Sequence, residues 1–516
     1  MKKYLGAELF FESLYDLGIR TIFGLPGGYV LKIYDVMPSY ANKINHILTR
    51  HEQAATHMAD GFSRASGLPG IILCTSGPAA TNTVTGISTA YVDSVPVLIF
   101  TGQVPTPFLG SDAFQEADHI GITRSTTKHN TLVRKTIDLP KAIAEALHIS
   151  NTGRKGPVLV DMPKDVLLGE SEFKIPKKVS LPNYIEEPKI SKKVMQNFKD
   201  KLLKSDRPIL IFGKGSCYKA NIKNISKIIK KFNIPSLTSL LGLGVVESDI
   251  SFGMIGSGGS YASSKLIDES DHIISVGCDI NKILPKTLIS RKEMTIVDID
   301  KTQLDSQNKN NLNINSSSIL FLEYMANQVG SYKSEWSKDF LIKMREMNLA
   351  ADKKEISINK RAAIYRALSD ILGDKAVICS DFSYEDVNNQ QFYKFKDYRN
   401  SVLSGGNGTP GYGFPAAIGA KFSRPDAKVV SISSGTNFQF NMQEMIVALE
   451  QKLDLSIIVL NDKYLNKRAK YKGPDYKSLA ESFGAKAYQF NFDSKIGINL
   501  KKTLKIKGLV LIEVRI

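Results

Sequence analysis

The chain has 516 residues, of which 42% are hydrophobic and 23% are charged. This length exceeds what one hydrophobic core supports, so we expect two to four globular domains, and the composition excludes a disordered or fibrous protein. The 68 Lys and Arg residues exceed the 51 Asp and Glu residues and give a net charge of +17. These basic residues are spread in short groups without interleaved aromatic side chains, so the charge does not predict nucleic-acid binding.

The termini and the cysteines indicate the compartment. Glu8, Glu12 and Asp16 precede any long apolar stretch, which is not the pattern of a signal peptide. The apolar runs are far shorter than the ~20 residues that a membrane helix needs. The four cysteines occur singly, without the pairs that typify zinc sites or disulfide frameworks. We therefore expect a cytoplasmic protein that does not contact a membrane.

The first block of the chain, residues 1–168, alternates short apolar segments with helical stretches. The predicted strands cover residues 21–24, 70–74, 97–100 and 157–161. Strands separated by helix-length segments predict a parallel sheet with right-handed crossovers. A segment with prolines and lysines, residues 175–182, follows and has the composition of a linker.

Two further blocks repeat this alternation. The second, residues 189–330, has predicted strands at 208–212, 273–277 and 295–300, and a charged helical tract follows it to residue 357. The third, residues 358–516, has predicted strands at 376–381, 428–432, 455–461 and 509–516. The sequence thus predicts an α/β protein of three domains, each a parallel sheet flanked by helices and each of ordinary domain size.

A glycine motif in the third block, GNGTPG at residues 406–411, satisfies the GxGxxG pattern of dinucleotide-binding folds. In such folds an acidic residue about twenty positions later, at the end of a strand, binds the ribose. The acidic residue at that distance is Asp426, which lies in a Pro-Asp turn before a predicted strand. The motif therefore does not favour a nicotinamide site.

A series of motifs in the first block carries a more specific signal. In order they are FGLPGG at 23–28, RHEQAA at 50–55, TSGPAATN at 75–82, GQVP at 102–105, DAFQEAD at 112–118, TKH at 127–129 and GRKGP at 153–157. In this order and spacing they closely resemble the pyrimidine-binding domain of acetolactate synthase, a family of thiamine-diphosphate enzymes. The resemblance covers nearly all of residues 4–168, is weaker in the central block, and returns at 404–425 and 473–485.

The resemblance implies a function for each block. Residues 1–168 would form the N-terminal pyrimidine-binding domain, residues 189–330 a central Rossmann-type domain like the family's flavin domain, and residues 358–516 the C-terminal diphosphate-binding domain. The thiamine-diphosphate fold would therefore occur twice. In this family the bound thiamine diphosphate accepts the electrons released when pyruvate is decarboxylated.

The resemblance also implies which residues of the first domain act. A glutamate matching Glu52 hydrogen-bonds the aminopyrimidine ring of the cofactor. Gln115 and Lys128 match positions that line the substrate side, where an amide and a cation suit the carboxylate of a 2-oxo acid. These three are the implied catalytic residues; each also has a plain structural interpretation as a polar residue of a helix or of the surface. Further implied cofactor-binding residues are Pro26, Gly27, Asn82, Gly408 and Asn437.

For the central domain the resemblance implies a structural flavin, FAD, bound through Arg154, Met254, Gly256 and Asp298. The family's basic run after the second strand of this domain is here replaced, and Asp279 stands where a cation would face the anionic cofactor. Two interpretations stay open, a bound flavin and an empty Rossmann-type spacer.

The metal-binding motif departs from the family pattern. Thiamine enzymes hold the diphosphate through Mg²⁺, ligated by an Asp, by an Asn about two dozen residues later and by a backbone carbonyl just after it. Gly435 occupies the position of the Asp, so the first ligand is lost. Asp462 stands where the Asn is expected, and Tyr464 retains a backbone carbonyl. Binding of Mg²⁺ through Asp462 and Tyr464 stays open.

Neighbouring diphosphate contacts are altered as well. The family's Gly-Gln-His run is here Ser383, Tyr384 and Glu385, which replaces a donor by a carboxylate. Lys463, Lys467 and Arg468 provide cations near the second ligand position and offer neutralisation of the diphosphate without metal. Lysine, however, supplies charge without fixed geometry.

The first functional expectation is a thiamine-diphosphate-dependent transferase, an acetolactate synthase that condenses two pyruvates, or pyruvate and 2-oxobutyrate, with loss of carbon dioxide, in branched-chain amino acid biosynthesis. The family forms dimers or tetramers, often with a small regulatory subunit. The alternative is a catalytically impaired paralogue that supplies a half-site or a structural role in a mixed dimer with an intact paralogue. A carboligase that uses another acceptor is a third interpretation.

Overall fold

Three parallel sheets, each flanked by helices, form the protein. The computed structural model describes residues 2–304, 311–381, 387–462, 464–465, 469–470 and 472–516. Among these residues, two six-stranded sheets lie near the chain ends and a five-stranded sheet lies between them. The predicted fold class is therefore confirmed. The domain boundaries 1–168, 189–330 and 358–516 stay a prediction.

The N-terminal sheet has the strand order β3-β2-β4-β5-β7-β6, with all neighbours parallel. A short antiparallel pair, β1 with β8, closes the domain. The elements are β1 Lys3–Leu5, α1 Gly6–Asp16, β2 Thr21–Gly24, α2 Leu31–Val36, β3 Asn45–Leu48, α3 Glu52–Ser66, β4 Gly70–Cys74, α4 Pro78–Asn82, α5 Val84–Val92, β5 Val97–Gln103, α6 His119–Thr123, β6 His129–Leu132, α7 Leu139–Asn151, β7 Val158–Pro163, α8 Lys164–Leu168 and β8 Glu170–Glu172.

The central sheet has the order β10-β9-β11-β12-β13 and is also parallel throughout. The elements are α9 Lys192–Leu203, β9 Pro208–Phe212, α10 Lys219–Phe232, β10 Ser236–Thr238, α11 Tyr261–Glu269, β11 His272–Val276, α12 Ile280–Ile283, α13 Lys286–Ile289, β12 Glu293–Asp298, β13 Leu312–Asn315, α14 Ser318–Gln328 and the connecting helix α15 Lys338–Ile358.

The C-terminal sheet has the order β15-β14-β16-β17-β21-β20, again parallel. The elements are α16 Lys360–Leu372, β14 Val377–Ser380, β15 Ser401–Leu403, α17 Gly413–Ser423, β16 Val429–Ser434, α18 Gly435–Phe438, α19 Met445–Glu450, β17 Leu455–Asn461, the short pair β18 Tyr464–Leu465 and β19 Ala469–Lys470, α20 Tyr476–Phe483, β20 Lys486–Asn491, α21 Ile496–Thr503 and β21 Leu509–Arg515.

The two outer domains share one hydrophobic core, which lies around the crossing of α3 and α17. Two glycines make this crossing close. A Cβ atom at Gly61 would lie 2.1 Å from the carbonyl oxygen of Ala416, and one at Gly419 would lie 1.8 Å from the carbonyl oxygen of Met58. Neither position has room for a side chain, so these glycines allow the two helix backbones to touch and fix the N-terminal domain against the C-terminal domain.

A buried ionic network joins the same two domains. Arg64 donates to Asp60 at 2.6 Å and to Asp93 at 2.8 Å, and Tyr412 donates to Asp60 at 2.5 Å. The Asp93 carboxylate also accepts the backbone N–H groups of residues 405 and 406, at 3.0 and 2.8 Å. The glycine motif at 406–411 therefore begins by binding an anionic side chain of the protein itself, which gives the motif a structural role.

Two observations bear on the compartment. No helix in the described ranges is long and apolar enough to cross a membrane. The four cysteines are all free thiols, three of them buried.

Candidate functional site

The candidate site begins where α3 starts, at the carboxyl edge of the N-terminal sheet. His51 is the N-cap of this helix, and its Nδ1 atom accepts the N–H of Gln53 at 3.0 Å. Gly67, in the left-handed conformation at φ 83°, ends the helix. Glu52 thus occupies the first turn, where the positive end of the helix dipole stabilises a carboxylate.

Glu52 and Asn82 form the central pair of the site. The Asn82 side-chain amide donates to Glu52 Oε2 at 2.9 Å. The Glu52 side chain is 15% exposed, so it is accessible but largely surrounded by protein. A carboxylate and an amide, both adjacent to open space, form a donor and acceptor set that suits an aminopyrimidine edge. The structure therefore brings together two of the predicted site residues.

Two glycine turns bring the surrounding loops close to this pair. A Cβ atom at Gly27 would lie 2.3 Å from Thr75 Cγ2, and one at Gly77 would lie 2.7 Å from the carbonyl oxygen of Gln115. The predicted residues Pro26, Gly27 and Gln115 therefore lie on loops that meet at the same edge of the sheet. Gln115 itself adopts φ 60°, a strained conformation for a residue with a side chain.

A buried histidine network, which sequence reasoning missed, supports the Gly77 turn. The Gly77 N–H donates to His119 Nε2 at 3.1 Å, so the proton of the neutral ring lies on Nδ1. That Nδ1 lies 2.9 Å from Asp161, which also accepts from Gln103 at 3.0 Å. His119 and Asp161 are too far apart in the sequence for a local pattern to predict this pair. The neighbouring strands β5 and β7 bring Gln103 beside Asp161, and the packing of α6 against β7 adds His119.

Glu444 is a second residue that sequence reasoning missed. It belongs to the C-terminal domain, is fully buried, and accepts the backbone N–H of Arg50 at 3.2 Å with each oxygen. Burial raises the pKa of this carboxyl to about 7, and the nearby Glu52 carboxylate adds to the increase. Glu444 thus holds the segment that leads into Glu52 from the opposite domain.

Lys128, the third predicted catalytic residue, has a different environment. Its ammonium donates to the carbonyl oxygens of Ile149 and Thr152, at 2.6 and 2.5 Å, and to the Tyr184 hydroxyl at 2.8 Å. Burial lowers its pKa to about 8, with Arg154 contributing. All three ammonium hydrogens therefore have protein partners at the end of α7, and a substrate role for Lys128 stays a prediction.

The C-terminal half of the candidate site differs most from the family pattern at Gly435. The Tyr476 hydroxyl oxygen lies only 2.6 Å from where a Cβ atom at residue 435 would stand. Tyr476 is fully buried, and Gln439 donates to its hydroxyl at 3.1 Å and to the Gly435 carbonyl at 3.3 Å. The space that an aspartate side chain would need at this position is occupied by tyrosine.

The second predicted metal ligand, Asp462, is also engaged. The guanidinium of Arg361, from the start of α16, donates to Asp462 Oδ2 at 2.6 Å. The backbone of Tyr464 lies in the short strand β18. Nowhere in the described parts of the chain do three or more His, Cys, Asp or Glu side chains cluster as a metal site. Ser383, Tyr384, Glu385, Lys463, Lys467 and Arg468 lie outside the described residues.

Asp381 organises the rest of this edge. Its carboxylate accepts the Gly411 N–H at 3.0 Å, the Ser433 hydroxyl at 3.2 Å and the Asn437 amide at 3.4 Å. The predicted residue Asn437 therefore lies at the carboxyl ends of β14 and β16, and Gly408, at φ 59°, lies in the loop after β15. Their cofactor contacts stay predictions.

Arg154 and Asp298, two of the four residues predicted to hold a flavin, lie where the N-terminal and central domains meet. Arg154 donates to Asp300 at 2.8 Å and to Ser94 at 2.9 Å. Asp298 ends β12, and burial raises its pKa to about 6. Burial lowers the pKa of Lys155, and the Lys214 cation lowers it further. The contact between the two domains thus carries carboxylates of the kind that bind ribose hydroxyls, and two neighbouring lysines of the kind that bind phosphates.

Met254 and Gly256 lie on the loop beside β10, where the backbone of Met254 bridges to that of Thr238. Gly256 adopts φ 99°, which favours glycine. Both residues are at the central domain's side of the structure, as the resemblance implies, and flavin binding stays a prediction.

The two halves of the site therefore differ in what they fit. The N-terminal half, built on Glu52, Asn82 and the Gly27 turn, fits the aminopyrimidine of thiamine diphosphate. The C-terminal half, as far as the structure describes it, does not fit a divalent cation held as in the family, because one ligand is missing and the remaining carboxylate is neutralised by an arginine.

Comparisons with known proteins agree with the resemblance. Three family models match the chain: "Thiamine pyrophosphate enzyme, N-terminal TPP binding domain" at residues 5–122, the central domain of the same enzymes at 195–325, and their C-terminal TPP binding domain at 386–514.

Curated relatives match over nearly the full length of the chain. The acetolactate synthase large subunit of Lactococcus lactis subsp. lactis is 33% identical over 96% of this chain and 90% of its own length. That of Haemophilus influenzae is 34% identical over 100% of this chain and 95% of its own length. Acetolactate synthase isozyme 3 large subunit of Escherichia coli is 32% identical over 98% and 93%.

Proposed function

The chain belongs to the acetolactate synthase large-subunit family of thiamine pyrophosphate enzymes, and on that premise we propose that it acts as a carboligase subunit that joins two pyruvates, or pyruvate and 2-oxobutyrate, with loss of carbon dioxide. The observation that supports this most directly is the hydrogen bond from Asn82 to Glu52 at the start of α3. The pair retains the carboxylate that the family uses on the pyrimidine ring.

The bound thiamine diphosphate would supply the electron sink for decarboxylation and carbon–carbon bond formation. The protein's part is to position groups and to handle protons. Glu52 holds or releases a proton at its carboxyl, next to the space into which the pyrimidine would fit. Asn82 fixes the orientation of that carboxyl. The Gly27 turn lets the backbone approach closely, and Gln115 provides an amide on the same edge for the 2-oxo acid.

The test is direct. Purified protein is incubated with thiamine diphosphate, Mg²⁺ and pyruvate, and acetolactate is measured together with cofactor binding by calorimetry. We expect Glu52→Gln to abolish product formation while the fold is retained. The matched control is Glu145→Gln, on α7, whose carboxylate pairs with Lys141 at 3.8 Å. Equal activity of Glu52→Gln and the control would contradict the proposal.

The loss of the expected metal ligand from the C-terminal half favours a second function. The family's sites lie between the pyrimidine domain of one subunit and the diphosphate domain of its partner. A chain with Glu52 and Asn82, but with Gly435 and an Asp462 neutralised by Arg361, would complete a site only with the diphosphate domain of an intact paralogue.

This half-site function predicts a different result in the same assay. The chain alone would give no acetolactate, and its mixture with an intact paralogue would give activity that depends on Glu52 of this chain. If Glu52→Ala in the mixture leaves the activity unchanged, the half-site function is wrong. If the chain alone is active, the first function is sufficient.

The proposal extends to partners and location. The small-molecule substrates are 2-oxo acids, and the assembly is a homodimer or homotetramer, or the mixed dimer described above, with a possible small regulatory subunit as in the family. Four free thiols suit a reducing compartment, which supports a cytoplasmic location. Light scattering of the purified chain, alone and with an intact paralogue, distinguishes these assemblies.

A further inference from the structure

Two lysines, Lys155 before β7 and Lys214 in the turn after β9, lie where the N-terminal and central domains meet. Both residues are half-buried, and within the described ranges neither ammonium group forms a hydrogen bond or an ion pair. Burial lowers the pKa of both lysines, and the Lys214 cation lowers that of Lys155 further. Lys128, which donates to two carbonyl oxygens, adds positive charge on the Lys155 side. Cations that repel each other without a counter-ion indicate a site for an anion.

The acidic groups near Lys214 are already engaged. Asp60 and Asp93 partly oppose the decrease in the pKa of Lys214. Both carboxylates, however, bind Arg64, at 2.6 and 2.8 Å, in the buried ionic network that joins the outer domains. The thiol of Cys217 stays neutral, because burial raises its pKa to about 11. Lys214 therefore lacks a counter-ion of its own.

The acidic groups on the central-domain side are paired as well, with one exception. Asp300 pairs with Arg154 at 2.8 Å, and Asp279, which stands where the family has a cation, pairs with Lys282 at 2.6 Å. Asp298 accepts the backbone N–H of Asp300 at 2.9 Å through Oδ1, and its Oδ2 has no hydrogen-bond partner in the part of the chain that the structure describes. One carboxylate oxygen thus remains for a hydroxyl group, and the charge of Asp279 is neutralised.

The position of Lys214 in the fold suits a phosphate group. The strand order of the central sheet reverses beside β9, and α/β sheets bind nucleotides outside the carboxyl ends of their strands at such a point. The turn that carries Lys214 is held by a hydrogen bond from the Gly215 N–H to the Gly277 carbonyl at 2.9 Å. The turn leads into α10, and the Lys155 ammonium lies 5.5 Å from the ring centre of Tyr218, the N-cap residue of this helix. The positive end of a 14-residue helix adds to the attraction for an anion.

We propose that Lys155 and Lys214 bind the phosphates of a nucleotide that carries a diphosphate, either a free nucleoside diphosphate or FAD. One lysine comes from each domain, so binding joins the N-terminal and central domains. The available oxygen of Asp298 accepts a hydrogen bond from a ribose hydroxyl. The two lysines supply the positive charge that is lost at the position of Asp279.

The experiment uses the full-length chain in the presence of EDTA, with ADP as the probe and calorimetry as the measurement. FAD carries the same diphosphate in a larger nucleotide and is followed by its fluorescence, whereas AMP carries one phosphate and adenosine none. We expect saturable binding of ADP and of FAD below about 1 mM, AMP binding weaker by about tenfold or more, and no saturable binding of adenosine. The tighter of the two ligands, ADP or FAD, identifies the source of the diphosphate.

The variants Lys155→Gln and Lys214→Gln locate the binding. Each is expected to weaken ADP binding about tenfold or more. The unfolding midpoint of each ligand-free variant should equal that of the wild type or exceed it, because one member of a repelling pair is removed. A purely structural role of the lysines would lower both quantities. The matched control is Lys223→Gln, since Lys223 is an exposed lysine of α10, and this variant should bind ADP as the wild type does.

Four results would overturn the proposal. They are the absence of saturable binding of ADP and FAD, equal binding of adenosine and ADP, wild-type ADP binding in both lysine variants, and a lower unfolding midpoint in both ligand-free variants. Displacement of ADP by excess thiamine diphosphate would also contradict it, because ADP would then occupy the candidate site described above. Since the readout is nucleotide binding without turnover, the result is independent of whether the carboligase function is correct.

Discussion

Introducing the missing metal ligand at residue 435 tests whether Tyr476 occupies the space of that ligand in the C-terminal half of the site. Gly435→Asp alone puts a Cβ atom 2.6 Å from the Tyr476 hydroxyl oxygen, and real Cβ atoms essentially never approach another heavy atom within 3.0 Å. Tyr476 is fully buried and cannot swing into solvent. Overpacking of this kind costs about 1–3 kcal/mol.

The double variant Gly435→Asp/Tyr476→Phe removes the hydroxyl oxygen, which is the nearest of the three Tyr476 atoms that crowd the new Cβ atom. It also removes the hydrogen bond from Gln439 to the Tyr476 hydroxyl, at 3.1 Å, which costs about 1 kcal/mol. We therefore expect Gly435→Asp to lower the unfolding midpoint of the C-terminal domain by about 5 °C, and Tyr476→Phe alone to lower it less. In the double variant the two nearest ring carbons remain 3.1 Å from the new Cβ atom, so the clash is relieved in part and only part of the loss should be recovered.

Metal binding gives the second readout. Calorimetry with Mg²⁺ and thiamine diphosphate should show tighter binding to the double variant than to Gly435→Asp, because the double variant removes the hydroxyl that makes the closest contact with residue 435. A Gly435→Asp protein that unfolds at the wild-type temperature and binds Mg²⁺ as well as the double variant would refute the reasoning that Tyr476 occupies the place of the ligand.

Three further predictions concern the contact between the outer domains. The pKa of Glu444 is raised from 4.5 to about 7. Its contribution to the free energy of unfolding is therefore complete below pH 4.5 and is lost as the pH rises through 7. Chemical unfolding at several pH values should show that Glu444→Gln removes up to about 3 kcal/mol of this pH dependence. Gly61→Ala should lower the free energy of unfolding by about 3 kcal/mol, whereas Gly497→Ala, with no atom within 4 Å of the new Cβ, should be neutral or stabilising in the same measurement. Asp93→Asn leaves the buried Arg64 with one carboxylate fewer and should lower the free energy of unfolding by about 3–5 kcal/mol, measured by denaturant titration. A decrease of less than about 1 kcal/mol would contradict the role of the ionic network.

The central strands of the three large sheets were predicted from the sequence, and their edge strands were not. The predicted strands at 21–24 and 70–74 agree with β2 and β4, since continuous apolar runs are typical of parallel strands that are covered on both faces. The strands β3, β6 and β20 were not predicted. Each lies at the edge of a sheet and is largely exposed or half-buried, so its sequence lacks the apolar run.

Some residues of the candidate site were likewise predicted from the sequence and others were not. Glu52 and Asn82 were predicted because they lie in motifs that are local in sequence, and the structure brings them together. Glu444 and Tyr476 were not predicted. Glu444 acts on a backbone N–H that is 394 residues away, and the effect of Tyr476 depends on its distance from Gly435, which no pattern in the sequence encodes. Contacts of this kind exist only after the sheets have packed.

At the C-terminal edge, both positions where the family pattern places a metal ligand have protein partners in this chain. Loss of a buried side chain without compensation leaves a cavity or an unpaired polar group. At Gly435 the lost carboxylate is replaced by the Tyr476 hydroxyl, which is itself hydrogen-bonded, and at Asp462 a charge that would lack its metal is paired with Arg361. Both positions of the expected metal site are thus packed and paired within the chain. This packing agrees with the proposed half-site function, in which the chemistry of the N-terminal half is completed from a partner subunit.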